Sequence, residues 1–109
     1  MGGWGWLGVA IVAEVVGTSA LKAADGFQRL WPLALVVLAY GLSFAALSIS
    51  LTSLPLGVAY AVWSGVGIVG ASIVGFSVFG ESLGGQQYAG IAVILAGVVI
   101  VNWPSPASP

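Results

Sequence analysis

The 109-residue chain is 60% hydrophobic and 5% charged, with a formal net charge of −1 and a mean hydropathy of +1.13. Soluble domains carry about a quarter charged residues, so composition alone excludes that class and points to a membrane protein. Cysteine and histidine are absent, which removes disulfides, the usual zinc sites and Cys/His or Ser/His catalysis, and two basic residues leave no electrostatic footprint for nucleic acid.

Four apolar segments are predicted to be transmembrane helices, over residues 4–21, 30–51, 57–79 and 87–103. Each is close to the roughly 17–25 residues that cross about 30 Å of hydrocarbon. They are too long and too continuously apolar for barrel strands. The expected architecture is one all-α, four-helix transmembrane domain over residues 1–103. Short connections, "ADGFQR", "SLP" and "GESLGGQ", predict that each helix lies antiparallel beside the one before it. The tail "PSPASP", residues 104–109, is expected to be disordered. The first segment is not read as a cleaved leader, because no Lys or Arg precedes it and Glu14 interrupts it. Trp4, Trp6, Trp31, Tyr88 and Trp103 fall near segment ends, as an interfacial aromatic belt requires.

The first segment holds "AIVAEVVGTSALK", with a lone carboxylate at Glu14. An ionised group at the bilayer centre costs roughly 2.5–3.5 kcal/mol on insertion scales, so such residues face a bundle interior and carry function. The bland alternative is a protonated glutamate hydrogen-bonded to a neighbouring helix. Helical spacing places Leu7, Ala10, Ile11, Gly17 and Thr18 on the face of Glu14. Three of these are small and would let a helix or ligand approach.

The second segment groups Tyr40, Ser43, Phe44 and Leu47 on one face, and the third groups Tyr60, Trp63, Ser64 and Gly67. One buried carboxylate with two ring-bearing faces suits a lipophilic cation. The rings supply apolar surface and cation–π attraction, and the carboxylate supplies countercharge. Ordinary helix packing is the competing reading of the rings. The third segment also contains "SGVGIVGASIVG"; its glycines permit either tight packing or a bend between two states. In the fourth, Gly90 and Gly97 are seven residues apart on one stripe, a seam for another helix.

These residues resemble the small multidrug resistance family. The resemblance runs from about Leu7 to Asn102 and rests on "AEVVGTSALK", Gly26–Phe27, "RLWP", "LPLGVAYAVWSGVGIVG" and the Gly90/Gly97 pair. It implies a bacterial inner-membrane exporter that exchanges toxic lipophilic or quaternary ammonium cations for protons, with no cofactor and no enzymatic activity. It makes Glu14 the shared binder of proton and drug. Tyr40, Tyr60, Trp63 and Ser64 become pocket residues, Gly65–Gly67 a hinge, and Gly90 and Gly97 the dimer seam. The dimer it implies is antiparallel, either a homodimer or a paired heterodimer. Two copies would bring two Glu14 carboxylates into one cavity, where both cannot carry charge cheaply, and alternating access would then exchange cation for proton.

A second branch of the family exports guanidinium compounds. That branch typically has a tryptophan soon after the glutamate, where this chain has Gly17–Thr18, and Tyr40 also resembles the multidrug branch. Glu81, in "FGES", occurs more among guanidinium-type or unassigned members. A non-transporting subunit is the reading from a different class. Orientation pulls against dual insertion. Lys22 and Arg29 both lie in the first loop, so positive charge places that loop in the cytoplasm and both termini outside.

Overall fold

A computed structural model describes residues 1–104, so all but Pro104 of the expected tail lie outside the described residues. Four helices follow in order: α1 (Gly3–Ala23), α2 (Trp31–Ser50), α3 (Leu56–Phe79) and α4 (Gly85–Asn102). No strand occurs among the described residues. Each helix is long and apolar enough to cross a membrane, with 18 to 24 residues.

The helix ends follow from local chemistry. α1 runs two residues past its expected end and stops where Asp25, Gly26 and Phe27 take left-handed φ values of 53°, 65° and 69°. The chain reverses there, and Arg29 N–H reaches back to the Ala24 carbonyl at 3.0 Å. Pro32 stands in the first turn of α2, where its fixed φ suits a helix start and its missing N–H is not needed. α3 ends on Gly80, whose φ of 68° gives a left-handed cap without a Cβ penalty. α4 begins two residues earlier than expected, since Gln87 Oε1 accepts the Gly84 N–H at 2.7 Å and ties down the first turn. It stops before Trp103–Pro104, because a proline disfavours helical backbone in the residue before it.

The helices do not each pack beside the one before. α1 packs against both α2 and α3, and α3 carries α4. α1 and α2 are joined by polar stitches: Ser43 Oγ donates to the Ala10 carbonyl at 2.7 Å, and Thr18 Oγ1 meets the Tyr40 hydroxyl at 2.8 Å. Such bonds are favoured in hydrocarbon, where water cannot serve the same groups. The apolar core gathers Leu7, Ile11 and Ala59, with Val15, Leu47, Leu51, Leu54, Val62 and Trp63 packed against it. Against α3, Gly70 lets Val15 of α1 approach, with Cγ2 only 3.2 Å from where a Cβ would stand. The result is a cleft between α2 and α3, floored by α1.

Candidate functional site

Glu14, partly buried, stands in that cleft. A cavity of about 670 Å³ is bounded by Glu14 and Thr18 from α1 and by Phe44 and Leu47 from α2. Its α3 wall is Leu56, Tyr60, Trp63, Ser64, Gly67, Ile68 and Ala71. A smaller adjoining cavity of about 240 Å³ joins Glu14 to Tyr40, Ser43, Phe44 and Trp63. Among the described residues, the side-chain hydrogen bonds and the ion pair lie elsewhere, so the Glu14 carboxylate faces open space on two sides.

The rings form a connected set. Trp63 lies edge-on to Phe44, with centroids 6.2 Å apart and planes at 72°, and tilted against Tyr60 at 6.1 Å and 52°. Both separations fall in the range in which aromatic quadrupoles attract. Phe44 and Tyr60 are exposed, at 61% and 64%, so ring area remains to receive an apolar guest. Flat apolar rings beside one uncompensated carboxylate favour a guest that is both apolar and positive. By contrast, a groove of about 600 Å³ on the other side of α1 and α2 is lined by Gly8, Val12, Leu38, Leu42 and other apolar residues. It offers no charged or hydroxyl side chain.

The residues that helical spacing groups around Glu14 divide between the cavities and the helix packing. Thr18, Phe44, Leu47, Tyr60, Trp63 and Ser64 line the main cavity, and Tyr40 and Ser43 the adjoining one. Leu7, Ala10, Ile11 and Gly17, expected in the pocket, lie instead in helix packing. Leu7 and Ile11 are core residues, Ala10 accepts the Ser43 bond, and a Cβ on Gly17 would stand 2.8 Å from the Tyr40 ring. Leu56, Ile68 and Ala71 line the main cavity as well, beyond the residues grouped from the sequence. Extending the stripe of Tyr60 and Ser64 by steps of three and four would have reached Ile68 and Ala71.

The glycines also divide. Gly65 is buried against α4, where Val98 and Leu95 fill the space a side chain would need. Gly67 lines the cavity, with the Trp63 ring 3.8 Å from its Cβ position. α3 passes through both as one continuous helix. On α4, a Cβ at Gly90 or Gly97 would meet open space, with no side chain or neighbouring helix within 4 Å, and the helix has no buried residue. Its outer face is therefore uncovered within the protomer.

Four helices, each long and apolar enough to span a membrane, with a partly buried carboxylate in a cleft of the first three, define a multi-pass membrane protein. The chain belongs to the small multidrug resistance family, whose model, described as Small Multidrug Resistance protein, matches residues 2–94. It is 46% identical over 108 residues to the quaternary ammonium compound-resistance protein QacE of Escherichia coli, covering 99% of this chain and 98% of that one. It is 43% identical over 104 residues to the multidrug transporter EmrE of Escherichia coli K12, covering 95% and 94%. A putative ethidium bromide resistance protein of Salmonella typhimurium is 44% identical over 105 residues, covering 96% and 91%.

Proposed function

We propose that the protein exports lipophilic and quaternary ammonium cations across a bacterial inner membrane in exchange for protons. The observation that carries this reading is the Glu14 carboxylate facing a cavity walled by Phe44, Tyr60 and Trp63. The names of the relatives, with resistance to quaternary ammonium compounds and ethidium among them, point the same way. In this reading Glu14 holds either a proton or a cation. The rings hold the apolar body of the cation, and the Thr18–Tyr40 hydrogen bond keeps the tyrosine ring at the edge of the site.

One protomer leaves its cavity open on the side away from α1. A second copy closes it. The uncovered glycine stripe of α4 is the surface on which we place that contact, with the two copies antiparallel so that the site faces each side in turn. The energy source is the proton gradient.

The test is uptake by vesicles containing this chain alone, acid inside, with tetraphenylphosphonium outside. Accumulation that collapses with a protonophore supports the reading. Uptake of guanidinium compounds without aromatic cations would move the chain to the other branch of the family. Uptake only after a second, related chain is added would make it half of a heteromeric pair.

A further inference from the structure

Glu14, Thr18 and Lys22 are spaced by four residues along α1 and so share one stripe. Opposite them, Gly67 and Ala71 line the cavity, and Gly75 and Phe79 continue the same α3 stripe past its end. There the two stripes are tied together. Lys22 Nζ forms an ion pair with Glu81 Oε2 and lies 5.5 Å from the centre of the Phe79 ring.

Glu81 is held in place by its own backbone. Its N–H donates to the Gly75 carbonyl at 2.9 Å, across the left-handed turn at Gly80. Its carboxylate folds over Gly75, occupying the space a Cβ there would need. α1 and α2 form one stitched pair and α3 carries α4, so the pair of halves meets along α1 and α3. Lys22–Glu81 is the ion pair between those halves among the described residues.

From this geometry we infer that Lys22 and Glu81 form a latch that holds α3 against α1 at the end of the cavity formed by the first and third loops, and so sets how widely that end opens. Both are positioning residues. Neither touches the cavity around Glu14. The inference rests on the transport reading only for its purpose; the latch itself is a property of the protomer. The side chains are 52% and 48% exposed, so the pair is reachable by solvent ions and screened by salt. An exposed pair of this kind shifts an equilibrium by roughly two- to fivefold.

The experiment uses the absence of native cysteine. Gly67→Cys places a half-buried thiol on the wall of the Glu14 cavity and outside the separate cavity that Glu81 lines with Ala71. Its labelling rate by a water-soluble maleimide is measured in the detergent-solubilised full chain. Glu81→Gln and Lys22→Gln should each raise the rate roughly two- to fivefold, and high salt should raise it in the parent but not in either variant. Gly75→Ala, which keeps both charges but displaces the Glu81 carboxylate, should do the same. The double swap Lys22→Glu with Glu81→Lys should return the rate toward the parent value. Unchanged rates in both single variants, or no recovery in the swap, would overturn the latch. Tetraphenylphosphonium binding is followed in parallel by tryptophan fluorescence. Failure of the parent to bind it would sink the transport reading and leave the labelling result to decide the latch.

Discussion

Thr18 Oγ1 and the Tyr40 hydroxyl lie 2.8 Å apart, one helical turn along α1 from Glu14. The bond joins α1 to α2 at the edge of the site, and Gly17 beside it is what allows the tyrosine ring to lie so close. A Cβ on Gly17 would meet ring atoms Cδ1 and Cε1, both 2.8 Å away. Gly17→Ala should therefore destabilise the protein by about 1–3 kcal/mol through overpacking, as read by thermal unfolding in detergent. Combining it with Tyr40→Ala should cost less than the two single changes added together, because truncating Tyr40 removes the ring that a Cβ at position 17 would strike. Strict additivity would show that the two residues do not touch.

Trp63 bridges Phe44 and Tyr60. Trp63→Ala should weaken binding of large aromatic cations by about 1–3 kcal/mol, from lost stacking, cation–π attraction and burial. Small quaternary ammonium ions, with less ring contact, should lose less. Equal losses across both classes in a binding titration would mean that Trp63 only spaces the helices.

Gly65 and Gly97 make a contrasting pair. The first is packed against Val98 within the protomer, whereas the second meets nothing within 4 Å. Gly97→Leu should leave the protomer's stability unchanged and lower the dimer fraction in detergent. Gly65→Leu should destabilise the protomer itself, as overpacked glycine contacts do. Dimers that survive Gly97→Leu would move the interface off this stripe.

The existence of the four spans was legible because continuous apolar runs of this length have few other uses. The partners of each helix were not. In a membrane the lipid-facing side of a helix is as apolar as its packed side, so a pattern reports spacing without direction. That is why Leu7, Ala10, Ile11 and Gly17 could be grouped with Glu14 and still fall in the packing. The short second connection predicts α3 beside α2, but a short loop fixes only how close the helix ends lie, and α3 packs on α1 instead. The Thr18–Tyr40 bond and the Lys22–Glu81 pair join residues 22 and 59 positions apart. No local pattern announces such contacts. Glu14 itself was legible from its residue type alone, since a charge in hydrocarbon is too costly to keep without a use.

Orientation offers a further check. Lys22 and Arg29 bias the first loop toward the cytoplasm, whereas an antiparallel homodimer needs both orientations. With Gly2→Cys as the sole thiol, labelling from each side of intact cells should modify comparable fractions. Labelling from the outside alone would rule out dual insertion and require an oppositely oriented partner chain.

The central claim is that proton and cation compete for Glu14. It is tested most directly by adding tetraphenylphosphonium to the purified, weakly buffered protein and recording pH. Binding should release protons from the parent chain. Glu14→Gln should keep its fold and release none. Full cation binding by the parent without proton release, or unchanged release from Glu14→Gln, would contradict the account.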